Sequence, residues 1–183
     1  NILRGWKPWG VQVTVEAHTS NQGAIRSFEE LLSKVRTEYF ALCDQDDVWL
    51  PDKLEKSVRL LASSQASLVY TDLQVVDADL HDMAPSMWRL SNIVPIEGRR
   101  VIPLVLKNCV TGCTVVGRTA LLKNALPCPE GVPMHDWWLA TVGACTDGLR
   151  IWPVPWRSSA RPESRVRSMR SCSHARLRLS GGL

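Results

Sequence analysis

Five apolar residues, Tyr39 to Cys43, run without a break into three aspartates, Asp44, Asp46 and Asp47. This junction limits the possible folds more than any other feature of the chain. A continuous apolar run of this length suits a strand covered on both faces, as in a parallel sheet. Three carboxylates within four positions repel one another and cannot continue into a core. The junction therefore predicts a buried strand that ends at the rim of a sheet. In open α/β sheets, ligands sit beyond the carboxyl ends of the strands.

The surrounding pattern supports this reading. Val11 to Val15 alternates with β-branched residues and predicts a strand. Asn21-Gln22-Gly23 reads as a turn. Ser27 with Glu30 reads as a capping box opening a helix from about Phe28 to Val35. Pro51 suits a first helical turn. The helix after it is expected to present Leu54, Val58 and Leu61 inward, with Lys53, Glu55, Lys56 and Arg59 on its polar side. Ser67 to Tyr70 predicts a strand ending near Thr71-Asp72, with Leu73 to Val76 extended beyond it. A loop-rich stretch follows, with a short helix near Trp88. Then come a weak helix over 101–106, a strand over 114–116, and helices over 119–125 and 137–142. The alternation of strands and helices predicts an α/β fold with a mostly parallel sheet flanked by helices.

Charge divides the chain of 183 residues. Residues 1–149 carry 14 Lys and Arg against 17 Asp and Glu, whereas residues 150–183 carry eight Arg, no Lys and only Glu163. The first part reads as a globular surface. The second, rich in Arg, Ser and Pro, predicts a tail that does not fold with the domain. Such a tail reads either as a phosphate-binding arm for RNA or acidic lipid, or as a translated frameshift. The expected boundaries are a domain over 1–148 and a tail over 149–183. No apolar run reaches the roughly 20 residues that span a bilayer. The six cysteines form no CxxC pair, which favours free thiols over a zinc set. The chain reads as soluble, and as a piece of something longer.

On spacing alone, the D-x-D of Asp44 and Asp46 is either a cation site or a turn. Alternate residues of an extended segment share a side, and Mg²⁺ or Mn²⁺ takes one or two carboxylates together with substrate phosphates and water. Equally, Asp46 or Asp47 could serve as a turn or capping residue. Asp136, before Trp137-Trp138, reads either as a functional carboxylate or as a helix cap.

Further motifs stand in order around the acids: Asn21-Gln22-Gly23, Phe28-Glu29, Tyr39-Phe40, Asp44-Gln45-Asp46-Asp47-Val48-Trp49, Pro51-Asp52-Lys53-Leu54, Tyr70-Thr71-Asp72, Thr111-Gly112-Cys113 and Met134-His135-Asp136-Trp137-Trp138. Together they resemble the family 2 glycosyltransferases, especially the rhamnosyltransferase-like members, over about residues 10 to 145. The resemblance implies a GT-A (Rossmann-like) fold, incomplete here because the family's first strands would precede Asn1. It implies an inverting, metal-dependent transfer of a sugar from a dTDP- or UDP-linked donor to a saccharide or glycolipid hydroxyl, in cell-surface polysaccharide synthesis.

Carried over residue by residue, Asp44 and Asp46 would hold Mg²⁺ or Mn²⁺ against the donor diphosphate, with Asp47 assisting. Asn21 and Gly23 would lie near the nucleotide. Asp136 would be the catalytic base, and His135, Trp137 and Trp138 would face the acceptor. The implied location is cytoplasmic, or peripheral at the inner face of the membrane. A chain of the same family without catalysis, and a nucleic-acid binder led by the basic tail, are the alternatives.

Overall fold

The structure is a computed structural model. It describes residues 11–44, 47–77 and 79–158, with the last six as backbone only. The elements in chain order are α1 (Gly23–Ser33), β1 (Tyr39–Ala41), α2 (Lys53–Ala62), β2 (Leu68–Val76), β3 (Asp82–Ala84), α3 (Met87–Leu90), α4 (Val101–Leu106), β4 (Val116–Arg118), α5 (Leu122–Ala125), α6 (His135–Cys145) and β5 (Leu149–Ser158). Single 3₁₀ turns, Gly112–Thr114 and Thr119–Leu121, flank β4.

The fold is α/β with helices against the sheet, as expected, but the sheet is mixed. β4 lies between β1 and β2 and runs antiparallel to both. β3 is also antiparallel to β2, and among the described strands only β5 pairs with β2 in parallel. The reason is geometric. The β1–α2–β2 crossover does return the chain in the direction of β1, since both strands oppose β4. It leaves a gap between them, and a strand from 40 residues further on fills it. Leu68 and Val69 pair with both β4 and β5, so these two strands occupy opposite edges of β2.

Several local readings differ from the structure. Residues 11–18 form no strand, and Val11 and Val13 are exposed. α1 begins at Gly23, so Ser27 lies inside it and donates to the Gly23 carbonyl oxygen instead of capping. The stripe on α2 is also displaced. Lys53, Ser57 and Leu61 face inward, while Leu54 is exposed. The sheet continues past residue 148. Leu149 is fully buried, and β5 pairs with β2 from Leu68↔Leu149 onward. The strand is held because apolar Leu149 and Ile151 join the main core and the backbone completes the free edge of β2. The rest of the Arg-rich stretch, residues 159–183, lies outside the described residues.

The main core gathers Phe40, Leu68, Tyr70, Leu104, Leu139 and Leu149 from five elements. Complete burial of each such side chain contributes roughly 1.5–3 kcal/mol. α6 is buried on most of its circumference, as befits a helix packed between layers. Because α6 leads into β5, which runs parallel to β2, the helix begins at the carboxyl end of those strands. That single consequence of topology brings Asp136 to the same rim as Asp44.

Candidate functional site

Three segments meet at this rim. The first is the loop after β1. Pairing of β1 with β4 continues through Leu42, whose N–H donates to the Val115 carbonyl oxygen at 3.1 Å. The chain then leaves the sheet and Asp44 follows. Since β4 is antiparallel, the residues preceding it lie at the same end. These form the second segment, the Gly112–Thr114 turn. The third is the first turn of α6.

Among the described residues, carboxylate oxygens of Asp44 and Asp47 and the Cys113 sulfur all lie within 4.8 Å of one another. Asp46 is outside the described residues. Asp136 is buried, and its Oδ1 accepts from the Trp137 N–H at 2.6 Å. The Gly112 N–H also donates to this carboxylate. Burial raises the Asp136 carboxyl to about 6; the two N–H groups oppose that rise, and the charge of Asp44 adds to it. The Asp44 influence makes the two acids electrostatic neighbours across 92 residues of sequence. The helix cap is Met134, so Asp136 sits within the first turn.

His135 is also buried, stacked on Phe28 with ring centroids 3.9 Å apart and planes 14° from parallel. Among the described residues neither ring nitrogen has a hydrogen-bond partner, and burial lowers the imidazole to about 4. It is therefore neutral at pH 7. A Cβ placed on Gly112 would lie 3.4 Å from His135 Nε2 and 3.5 Å from Asp136 Oδ2. The lack of a side chain at 112 thus lets this turn lie directly against both buried polar groups.

The other residues singled out in the sequence occupy different settings. Trp137 is buried, with Nε1 donating to the Leu104 carbonyl oxygen at 2.6 Å. Trp138 packs against the same core and donates to the Ala125 carbonyl oxygen at 2.7 Å. Both indoles thereby anchor α6, one to α4 and one to α5, and neither stands as an open plate. Asn21 is exposed and closes its own turn by accepting from the Gly23 N–H at 2.8 Å. Gly23 has φ of +76°, which a glycine adopts without strain. Asp72 accepts from the Leu73 and Trp88 N–H groups and from Ser86 Oγ, so it fastens α3 to β2.

Lys53 is the functional candidate that periodicity misplaced. Only 1% exposed, its ammonium donates to the Cys113 carbonyl oxygen and lies 3.8 Å from the centroid of the Trp49 ring. Burial brings it down to about 8, opposed by the nearby Cys113, Cys43, Asp47 and Asp44. A buried cation thus joins the acid loop to the Gly112–Thr114 turn. The signal was present in the i, i+4 series Lys53, Ser57, Leu61, in which the small Ser57 leaves room at a helix face.

Two carboxylates at close range supply hard oxygen donors, which suits Mg²⁺ or Mn²⁺ and leaves coordination positions for a diphosphate and water. Asp44 and Asp47 are the described residues that would hold such an ion.

The site and sheet belong to a recognisable class. The model for glycosyl transferase family 2 matches residues 1–124, and the chain belongs to that family, with a GT-A-like α/β unit whose sheet is mixed. An uncharacterized protein of Mycobacterium bovis and one of Mycobacterium tuberculosis are each 29% identical over 125 residues, covering 66% of this chain and 34% of theirs. The chain spans about a third of the length of these relatives. S. aureus TarS (residues 1–349) is similar with a TM-score of 0.49 at 18% identity, covering 85% of this chain and 45% of that one. No described helix is long and apolar enough to cross a membrane.

Proposed function

We propose that this chain carries the centre of a metal-dependent, inverting sugar transfer from a nucleotide-diphosphate sugar to a saccharide or glycolipid hydroxyl. One observation carries the reading: the acid pair after β1 and the buried Asp136 converge on the two faces of one short turn, Gly112-Cys113. A donor diphosphate at Asp44 and Asp47 would then lie beside a carboxylate held by two N–H groups.

The roles follow from chemistry. Asp44 and Asp47, with Asp46 between them in sequence, would hold Mg²⁺ or Mn²⁺. Such an ion, when bound, stabilises the negative charge that grows on the leaving diphosphate. Asp136 would accept the proton of the acceptor hydroxyl. With its carboxyl near 6, it is mostly ionised at pH 7 yet basic enough to take a proton. Neutral His135, with both nitrogens unpartnered, would hydrogen-bond the acceptor beside Gly112. Trp137 and Trp138 would contribute by fixing α6. Asn21 and Gly23 would shape the approach to the nucleotide. dTDP- and UDP-linked sugars, with rhamnose first, are the donors to try.

The test is release of nucleotide diphosphate and transfer by the 183-residue chain, with and without Mn²⁺. Asp44→Asn should abolish the response to metal. Asp136→Asn should keep donor binding and lose transfer. Donor binding that is indifferent to both metal and Asp44 would remove the proposal.

A further inference from the structure

Among the described residues, exposed apolar side chains gather on α3, α4 and the loop joining them. Val94, Ile102 and Leu106 are 77%, 76% and 78% exposed, and Leu90 and Val105 are exposed as well. On α4, residues 102, 105 and 106 share one face at i, i+3 and i+4, while Leu104 on the other side is wholly buried. The two stretches adjoin. Lys107 Nζ donates to the Asn92 carbonyl oxygen at 3.1 Å, which sets the end of α4 beside the loop between Leu90 and Val94. Scattered surface leucines need no explanation, but a contiguous patch marks a contact surface.

Charge identifies the partner. Between residues 87 and 107 stand Arg89, Arg99, Arg100 and Lys107, all exposed, against the single acid Glu97. Glu97 is paired with Arg150 at 3.2 Å. The segment is therefore cationic in a region, residues 1–149, that is net acidic. Arg100 and Lys107 bound the two ends of α4, and exposed apolar side chains flanked by Lys and Arg are the kind of surface that enters the headgroup layer of an anionic bilayer. A protein partner of the same shape would be expected to supply acidic side chains and an apolar knob; the bilayer supplies both properties uniformly.

We propose that the α3–α4 face is a docking surface for anionic lipid. The inner side of α4 bears on the site. The Leu104 carbonyl oxygen receives the indole N–H of Trp137, next in sequence to Asp136. A membrane bound on the outer side of α4 would thus lie one helix away from the proposed base, in position to present a lipid-linked acceptor. That purpose rests on the transferase reading; the docking itself does not.

The experiment is co-sedimentation of the full chain with vesicles of phosphatidylcholine containing about a quarter phosphatidylglycerol, at about 0.15 M salt, where exposed charges alone are well screened. Pure phosphatidylcholine vesicles form the second arm. Binding is expected to the anionic vesicles. The double variant Ile102→Glu with Leu106→Glu should weaken it at least about tenfold, with an unchanged thermal midpoint because both side chains are exposed. Arg100→Gln with Lys107→Gln should weaken it and flatten its salt dependence. If the double variant does not fold, Val94→Glu in the loop serves instead. No binding by the parent chain overturns the proposal. So does binding that the glutamates leave intact, which would assign it to the Arg-rich stretch beyond residue 158. A dimer that the glutamates dissociate would assign the face to a second copy. No donor, metal or turnover enters these measurements, so a failure here is separate from a failure of the transferase reading.

Discussion

The ammonium of Lys53, at the start of α2, donates to the carbonyl oxygen of Cys113, 60 residues later. This bond spans the two loops that form the rim. It brings a positive charge beside Asp44 and Asp47 and braces the turn whose Gly112 N–H holds Asp136. Replacing Lys53 by Met removes the donor and leaves the Cys113 carbonyl without it. The expected loss of stability is about 1–3 kcal/mol, read as a lower thermal midpoint. If bracing matters to the chemistry, turnover should fall further than donor affinity. A variant with lowered stability and unaltered turnover would limit Lys53 to folding.

Asp136→Asn should reduce transfer by about a hundredfold to ten-thousandfold, the usual contribution of a general base. In the parent chain, activity should fall as pH drops below about 6, where the carboxyl takes up its proton. The stability effect has the opposite sign. A carboxyl raised in the folded state favours folding at low pH, and that contribution is lost as pH rises through about 6. The Asn variant should therefore be at least as stable as the parent at pH 7. Chemical denaturation at pH 5 and pH 8 measures the difference.

His135 titrates in the other sense. Folding lowers it from its ordinary value to about 4, so the unfolded chain binds a proton that the folded chain refuses. Stability is full above about 6.5 and declines as pH falls toward 4. His135→Phe keeps the stack on Phe28, removes two unpartnered nitrogens, and should flatten this decline. If the nitrogens serve the acceptor, the same variant should raise the acceptor KM while leaving donor binding alone. Denaturation midpoints across this pH range and steady-state kinetics provide both readouts.

Two glycines should respond oppositely to alanine. At Gly112 a Cβ meets His135 and Asp136 at ordinary contact distance, so Gly112→Ala should fold with little change and impair transfer. At Gly117, directly opposite Phe40 in the β1–β4 pair, a Cβ would lie 2.5 Å from Phe40 Cζ. Gly117→Ala should cost about 1–3 kcal/mol, typical of an overpacked core. Thermal unfolding beside an activity assay distinguishes the two.

Much of this molecule follows from local order along the chain. The apolar run into aspartates placed Asp44 at a strand end, and the helical spacing after residue 134 placed Asp136 near a helix start. Those features depend on the period of the backbone and on the repulsion of like charges, which short stretches determine. Other features required distant partners. Val11 to Val15 alternates like a strand but pairs with no strand among the described residues, whereas Leu149 onward reads like the start of a tail and completes an edge of β2. Lys53 looks solvent-facing until β4 enters between β1 and β2 and brings the Cys113 carbonyl above it. Strand pairing is decided by which segment fills a free edge and buries its apolar face, a choice among residues far apart in sequence. Residue order alone therefore supplied the acids and their end of the sheet; the tertiary fold supplied the turn on which they meet.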